Sequence, residues 1–413
     1  MVIVVLVVFV LSMTLLALSV SGVPLSNAGY LFRGVPQLPQ RDLGEKKLTA
    51  NRARTVMTYG YDSLDADLQN VYDIIDEEIA RSDPQQFYVG CSHEDFRRVH
   101  RAYLTDHPEV FWLPADSAGY HYWDYGSAMN VEFMFAFAGD TLQEMKKQLS
   151  DRVEKIISDA PEQASDYEIE LYFNDYLTKT LTYDHEKKAS MRANAYGALM
   201  NGKVVCAGYS AAFQLLCNRA GISCESVFGY ITKTDGEENN TEENTLHQWN
   251  CVKLDGEWYY TDVTWNDFND INSAHAYFNI TSAEIEKTRT INPLYTDDPS
   301  WRDGCGNVIA PVCSATAYNY YNKTGTVITD LDDDNDILAV LIAASKKGDR
   351  TVDFRIGDNM DYDRTVQAVA NHYGCLWIEG VNFYNGGKPA LNPATKMYLY
   401  QKTHCLVLKL DYQ

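Results

Sequence analysis

A cysteine, a histidine and an aspartate follow one another within residues 201–267, each in a segment that can position it for chemistry. Cys206 begins an apolar segment of helical character, His247 lies in the strand-like segment that follows, and Asp262 lies in the next one. A thiol, an imidazole and a carboxylate in this order can act as nucleophile, base and orienting acid in covalent catalysis. The order of these residue types is the main functional signal of the chain.

The segment from Cys206 to Arg219 is almost wholly apolar or small, which predicts a buried helix that ends near Gly221. Cys206 would then lie in the first turn, where unpaired backbone N–H groups and the positive end of the helix dipole favour a thiolate. The same N–H groups can hold the oxyanion that forms when a thiolate attacks a carbonyl carbon. Cys206 is therefore the candidate nucleophile.

Two strand-like segments, 247–254 and 257–265, are separated by Asp-Gly, which predicts a two-residue hairpin turn. In the register that pairs the residues flanking this turn, Asp262 lies diagonally across from His247 on the same face of the sheet. Asp262 could then hold one imidazole nitrogen while the other faces Cys206. A one-residue bulge in the turn would instead place the two side chains on opposite faces.

Three segments carry a resemblance to a known family: KVVCAGYSAAFQLLCNRAGI, HQWNCVKLDGEWYYTDVTW and AYFNITSAEI. They resemble the transglutaminase-like domain of the papain-like cysteine transferases and peptidases, with the bacterial secreted members as the nearest type. The resemblance covers about residues 166–285. It implies an α+β fold with a nucleophile helix packed against an antiparallel sheet, and it implies Cys206 as nucleophile, His247 as base and Asp262 as third triad member.

The resemblance implies a thiol enzyme that acts on protein or peptide amides, cell-wall peptide among them. Transfer to a lysine amine, deamidation and peptide hydrolysis share this triad, so the sequence leaves the reaction open. The alternative is a non-catalytic surface-binding protein that retained the fold. In the family the segment before the nucleophile helps to shape the oxyanion hole, which makes Tyr183, Asn194 and Tyr196 equal candidates. The acidic insertion 232–245 is either a gate or a solvated loop.

No cofactor and no metal site are expected. The chain has no CxxC pair, and His93, His100 and His107, although seven residues apart, lack a carboxylate spaced to complete a zinc site. The acidic residues 330–336 lack the glycine and the glutamate of a calcium-binding EF-hand loop.

The formal net charge of -22 over 413 residues excludes a nucleic-acid backbone as partner, because phosphates would be repelled. An acidic surface can instead attract cationic protein or peptide segments. Nine cysteines are consistent with export: Cys206 as a reactive thiol, and Cys305–Cys313 and Cys375–Cys405 as the disulfide pairs to test first. The oligomeric state is not predicted.

An apolar N-terminal run predicts export, so the protein is expected to be secreted or on the extracellular surface; membrane attachment requires that the run stays uncleaved. Within the C-terminal part, 375–383 is predicted as a strand, and the aromatic cluster 120–125 as a polar loop. The predicted divisions are a signal peptide or anchor (1–22), a linker (23–58), a mainly helical region (59–165), the transglutaminase-like domain (166–300) and a small α/β domain (301–413).

Overall fold

The computed structural model describes residues 58–113, 119–232, 245–267, 274–293, 306–332, 335–387, 390–392 and 396–413. The predicted export segment, the linker up to residue 57 and residues 233–244 of the acidic insertion lie outside these ranges. Within the ranges described, no helix is long and apolar enough to cross a membrane.

The helices begin and end at caps and turns that the local sequence supplies, such as Ser92, whose side chain accepts a hydrogen bond from the N–H of Asp95. In chain order they are α1 Tyr59–Asp62, α2 Ala66–Arg81, α3 His93–Asp106, α4 Gly139–Ser158, α5 Asp166–Thr180, α6 Cys206–Arg219, α7 Val263–Asn266, α8 Ser282–Ile285, α9 Tyr320–Thr324, α10 Asn335–Lys347, α11 Tyr362–Ala368 and α12 Gly374–Tyr384, with π-helical turns at Gly197–Asn201 and Val369–Tyr373.

The strands form small sheets, with orders β1-β3-β2, β4-β5, β8-β7-β6-β9 and β10-β11-β13-β12. Their bounds are β1 Gln86–Val89, β2 Tyr120–Asp124, β3 Met129–Phe133, β4 Thr182–Tyr183, β5 Lys203–Val204, β6 Ser223–Ile231, β7 Thr245–Leu254, β8 Glu257–Thr261, β9 Arg289–Ile291, β10 Val327–Ile328, β11 Thr351–Ile356, β12 Met397–Tyr400 and β13 Cys405–Lys409.

The antiparallel sheet β8-β7-β6-β9 carries the candidate site, and helix α6 packs on it. This helix has the predicted bounds, and Gly221 lies just beyond it with a φ of 87°, a left-handed conformation that suits glycine. Ten of the fourteen residues of α6 are buried, as its apolar composition requires. The predicted α+β fold, with the nucleophile helix packed on an antiparallel sheet, is confirmed.

The aromatic cluster predicted as a polar loop is a strand. Tyr120–Asp124 pairs with Met129–Phe133, because Gly126, with a φ of 90°, allows the chain to turn back between them.

The segment predicted as a strand at 375–383 is the helix α12, because its apolar residues face the core at helical spacing. Cys375 lies on its exposed side. Cys405, considered above as its disulfide partner, is instead a buried thiol that donates to the carbonyl of Thr403 at 3.2 Å. Of the other proposed pair, Cys305–Cys313, Cys305 lies outside the described residues. Cys313 is also a buried thiol.

The hydrophobic core shows how the C-terminal sheet is attached. One cluster of buried residues joins the N-terminal helices to α6, and another lies within the C-terminal part. A third cluster contains side chains of the site sheet, such as Trp249, together with Tyr400 and Val407 of the C-terminal sheet. The described residues from 58 to 413 form one compact unit, and the division of this unit into domains stays a prediction.

A buried histidine links helix α5 to the C-terminal sheet electrostatically. His275 Nε2 lies 2.9 Å from Asp175 Oδ1 on helix α5, and its Nδ1 lies 3.0 Å from Asp353 Oδ2 on strand β11. Burial would lower the pKa of His275, but the two carboxylates raise it to about 10. The imidazole is therefore a cation between two anions, and its ring also stacks on Tyr320 at 3.7 Å between ring centroids.

Replacing Asp353 by asparagine should lower the free energy of unfolding by about 3 kcal/mol near pH 6.5, because it leaves a buried cation with one counterion. Because the pKa of His275 is raised in the folded state, its ion pairs stabilise the protein fully below pH 6.5, the ordinary pKa of histidine. This contribution is lost as the pH rises through about 10. The difference between wild type and D353N in urea denaturation should therefore shrink toward pH 10.

The control is K179M, because Lys179 contacts the same Asp175 in an exposed pair at 3.3 Å. Its loss should cost less than about 1 kcal/mol. Equal effects of D353N and K179M would contradict a buried charge link at His275.

Candidate active site

Cys206 begins helix α6 in a first turn that packs tightly against the preceding chain. Its N-cap residue, Val205, has no capping side chain, so backbone N–H groups at the start of the helix are left without side-chain caps. A Cβ on Gly208 would lie 2.6 Å from Val204 Cβ and 2.7 Å from the carbonyl oxygen of Arg192, which allows only glycine at this position. The partly exposed sulfur is thereby placed at the positive end of the helix dipole.

The three predicted site residues lie together. His247 Nε2 is 2.7 Å from Asp262 Oδ2, and both side chains are buried. The other ring nitrogen, Nδ1, is left for Cys206, with which the imidazole shares a hydrogen bond. The backbone N–H of Gln248 also bonds the sulfur. The imidazole therefore interacts with the sulfur on one side and with the carboxylate on the other.

Asp262 reaches His247 by a route that differs from the predicted one. Leu254 pairs with Glu257 as expected, but strand β8 ends at Thr261, which pairs with Asn250. Asp262 is not on the strand: it is the N-cap of helix α7, and its Oδ1 accepts the N–H of Trp265 at 3.1 Å. An aspartate at this position satisfies an otherwise unpaired helical N–H group, which draws the chain out of the sheet.

The charges of the site favour a thiolate beside an imidazolium. Burial would raise the pKa of Cys206, but the hydrogen bond and the charge of His247 lower it below its ordinary value. Burial would lower the pKa of His247, yet Asp262 raises it to about 9. Burial would raise the pKa of Asp262, while His247 and Arg289 lower it to about 2. These values belong to an interacting set, in which each charge stabilises its neighbour.

Arg289 is a member of the site that the sequence analysis missed. It lies on β9, the edge strand beside β6, is 1% exposed, and its Nη2 donates to Asp262 Oδ2. Nothing around it in the sequence distinguishes it from a surface arginine at a strand end. What distinguishes Arg289 is its burial, which results from the position of strand β9 beside β6 in the sheet.

A polar network beneath the helix holds the residue next to the base. The side-chain Nε2 of Gln248 lies 3.1 Å from Ser226 Oγ and 3.3 Å from Ser210 Oγ. Ser226 in turn donates to Gln214 Oε1 at 2.8 Å. These contacts fix the backbone at Gln248, whose N–H bonds the sulfur of Cys206.

Among the three oxyanion-hole candidates, Tyr183 is the one that faces the nucleophile. It pairs with Val204, two residues before Cys206, and burial together with the charges of Cys206 and Asp262 raises the pKa of its phenol. Asn194 accepts a bond from a backbone N–H at 2.9 Å, and Tyr196 donates to a glutamine side chain at 3.0 Å. The Oδ1 of Asn194 and the hydroxyl of Tyr196 are therefore engaged by other partners.

His93 and His100 on helix α3, and His107 just beyond its end, have separate environments. His93 stacks on Tyr122 at 3.9 Å, and His107 Nδ1 lies 2.9 Å from Glu109 Oε1. Burial lowers the pKa of His100 to about 3. Within the part of the chain that the structure covers, no group of three metal-ligating side chains is present; two of the acidic residues at 330–336 lie outside that part.

Iodoacetamide at pH 6.5 should alkylate Cys206 at least about 10-fold faster than the buried cysteines, because only a thiolate reacts and burial raises the pKa of Cys217, Cys224, Cys251 and Cys405. H247A should slow this reaction about 10-fold. Peptide mass spectrometry gives the rate at each site. H121A, on the exposed side of strand β2, is the control; similar rates in H247A and wild type would contradict the ion pair.

Residues 153–263 match the family model of the Transglutaminase-like superfamily. Two relatives are kyphoscoliosis peptidases: the Mus musculus protein is 30% identical over 94 residues and the Homo sapiens protein 34% identical over 68 residues. The alignments cover 22% and 16% of this chain but only 14% and 10% of those proteins, so the chain spans at most about a seventh of their length.

A crystal structure described as that of a TGase is 16% identical, covers 44% of this chain and 51% of its own, and has a TM-score of 0.24. The family match and the fold lead to one conclusion: the chain contains a transglutaminase-like domain, of a superfamily whose members include cysteine transferases and cysteine proteases.

Proposed function

We propose that this protein is a cysteine enzyme of transglutaminase-like type that acts on protein or peptide amides through Cys206, His247 and Asp262. One observation carries the proposal: a buried imidazole bonds the sulfur at the head of a helix on one side and a carboxylate, at 2.7 Å, on the other. A nucleophile, a base and an orienting acid in contact are the requirements of covalent acyl transfer.

The first half-reaction forms a thioester. The thiolate of Cys206 attacks the carbonyl carbon of an amide, and the carbonyl electron pair moves onto oxygen. We expect backbone N–H groups at the start of α6, together with the hydroxyl of Tyr183, to stabilise that oxyanion. As the carbon–nitrogen bond breaks, the imidazolium of His247 gives its proton to the departing nitrogen, and an amine or ammonia leaves.

The second half-reaction regenerates the thiolate. The neutral imidazole of His247 takes a proton from the acceptor, which attacks the thioester carbon and expels the sulfur. Asp262 keeps the ring in the same orientation through both steps and stabilises its charged form. A lysine amine as acceptor gives an isopeptide cross-link, whereas water gives deamidation of a glutamine or hydrolysis of a peptide bond.

The substrates we propose are protein or peptide segments of positive charge. The chain carries a formal charge of -22, which attracts cationic segments and repels phosphate backbones. Its apolar N-terminal run supports export, so we place the enzyme outside the cell or on its surface, where matrix or cell-wall peptides are available.

Incubation with casein and a fluorescent amine distinguishes the acceptors: amine incorporation indicates a transferase, ammonia release a deamidase, and new peptide termini a protease. We expect one of these activities, and C206A should lower its kcat at least about 10³-fold, because the nucleophile is lost. C217A, which removes a buried thiol of the same helix, is the control. Ligand binding without turnover, unchanged in C206A, would favour the non-catalytic alternative.

The rate should fall as the pH rises through about 9, since His247 then loses the proton that it must deliver to the leaving group. D262N should lower this upper limit by about one pH unit or more, because the carboxylate is what raises the pKa of His247. The measurement is kcat/KM from pH 5 to 10.5. A wild-type profile that stays flat to pH 10.5 would exclude His247 as the acid.

A further inference from the structure

Arg289 places a second cation behind the triad. Its Nη2 donates to the same oxygen of Asp262 that His247 contacts at 2.7 Å, and its Nη1 lies 2.5 Å from Thr288 Oγ1. The side chains of Arg289 and Asp262 are fully buried. The carboxylate therefore lies between an imidazole and a guanidinium, while its other oxygen accepts the N–H of Trp265.

Aromatic rings hold the guanidinium in place. Its carbon lies 4.1 Å from the ring centroid of Trp265, 4.5 Å from that of Tyr277 and 5.8 Å from that of Trp249. Rings at this range attract a cation through their negative faces and limit its movement. Trp249 and Trp265 also lie beside the imidazole of His247, at 5.9 and 6.2 Å between ring centroids. Two of the three rings that hold the guanidinium thus also flank the base.

Stability alone does not account for a cation at this position. Apolar residues of similar volume often stabilise a core as well as or better than a buried ion pair. Arg289 Nε is buried and has no hydrogen-bond partner among the described residues, which adds to the cost of burial. What an apolar residue could not supply is charge.

The charge is what the site requires. A thiolate at Cys206 and a carboxylate at Asp262 are two anions, whereas the imidazolium of His247 is one cation. With the guanidinium, the formal charges of the four groups sum to zero. This lowers the free-energy cost of keeping Cys206 and Asp262 ionised in a buried site. Tyr183 is a further titratable side chain that interacts with Cys206 and Asp262, and its raised pKa keeps it neutral.

We propose that Arg289 is a positioning residue of the active site, which holds the carboxylate of Asp262 toward His247 and balances its charge so that Cys206 stays ionised. This inference rests on the function proposed above. Arg289 lies outside residues 153–263, the segment that matches the family model. It is brought to the site by strand β9, which pairs with β6 next to the strand of the base.

Replacing Arg289 by a neutral residue should shift the pKa values of its neighbours in one direction. Loss of a nearby positive charge favours the protonated form of every neighbouring group, so the pKa values of Cys206, His247 and Asp262 should all rise. A residue that only fills the aromatic cage would leave them unchanged. The pH at which Cys206 becomes reactive therefore separates a positioning role from a packing role.

The experiment measures the alkylation rate of Cys206 by iodoacetamide from pH 4 to 9 in the full chain, which reports the thiolate without any turnover. R289M fits the aromatic cage without a charge, and R289Q can still donate to Asp262. Both should raise the pH at which the alkylation rate of Cys206 is half-maximal by about one unit, whereas R289K should keep the wild-type midpoint. R355M, which breaks the partly buried ion pair between Arg355 and Glu284 at 2.9 Å, is the matched control and should not shift it.

Folding is checked for each variant by circular dichroism. A folded R289M or R289Q with the wild-type midpoint overturns the proposal, as does a shift of equal size in R355M. If both neutral variants unfold while R289K folds, the cation is a stability requirement and the positioning role is rejected. A wild-type Cys206 that shows no preferential alkylation would instead contradict the proposed function itself.

Discussion

A short hydrogen bond between two buried side chains, His247 and Asp262, is the contact on which the rest of the site depends. In a low-dielectric interior such a bond is strong when both partners are charged and costly when one is missing. The surrounding elements serve to keep it intact. Strand β7 carries the imidazole, the N-terminus of α7 orients the carboxylate, and strand β9 adds the guanidinium of Arg289.

Close packing between these elements sets the distances of the site. His247 pairs with Gly229 across the sheet, and a Cβ on that glycine would lie 2.0 Å from the carbonyl oxygen of Thr290 and 2.7 Å from the ring of Trp249. The missing side chain lets β6 and β9 approach each other. At the other end of the candidate site, Gly208 does the same for the first turn of α6. The two glycines allow the sulfur to approach the imidazole and the guanidinium to approach the carboxylate of Asp262.

Local signals in the sequence predicted most of the fold and three residues of the site. The apolar segment after Cys206 and the Asp-Gly turn each specify structure through neighbours in the chain, so the helix bounds and the hairpin register could be derived. The end of strand β8 could not be derived, because Asp262 leaves the sheet to cap α7. At this residue a strand and a helical cap compete, and the local sequence does not decide between them. Arg289 could not be derived either, since its partner depends on which strand lies at the sheet edge. The helix at Gly374–Tyr384 was missed because a short apolar run fits both periods.

Asp262 both contacts His247 and caps helix α7, and this double role affects how such a domain can evolve. Asparagine caps a helix about as well as aspartate, so a single exchange could abolish the chemistry while the backbone stays as it is. The guanidinium beside it would then have no counterion, and a second exchange at position 289 would be favoured. Relatives that have lost the proposed chemistry through this exchange should therefore have lost both residues together, which makes the pair a marker of that chemistry in a sequence.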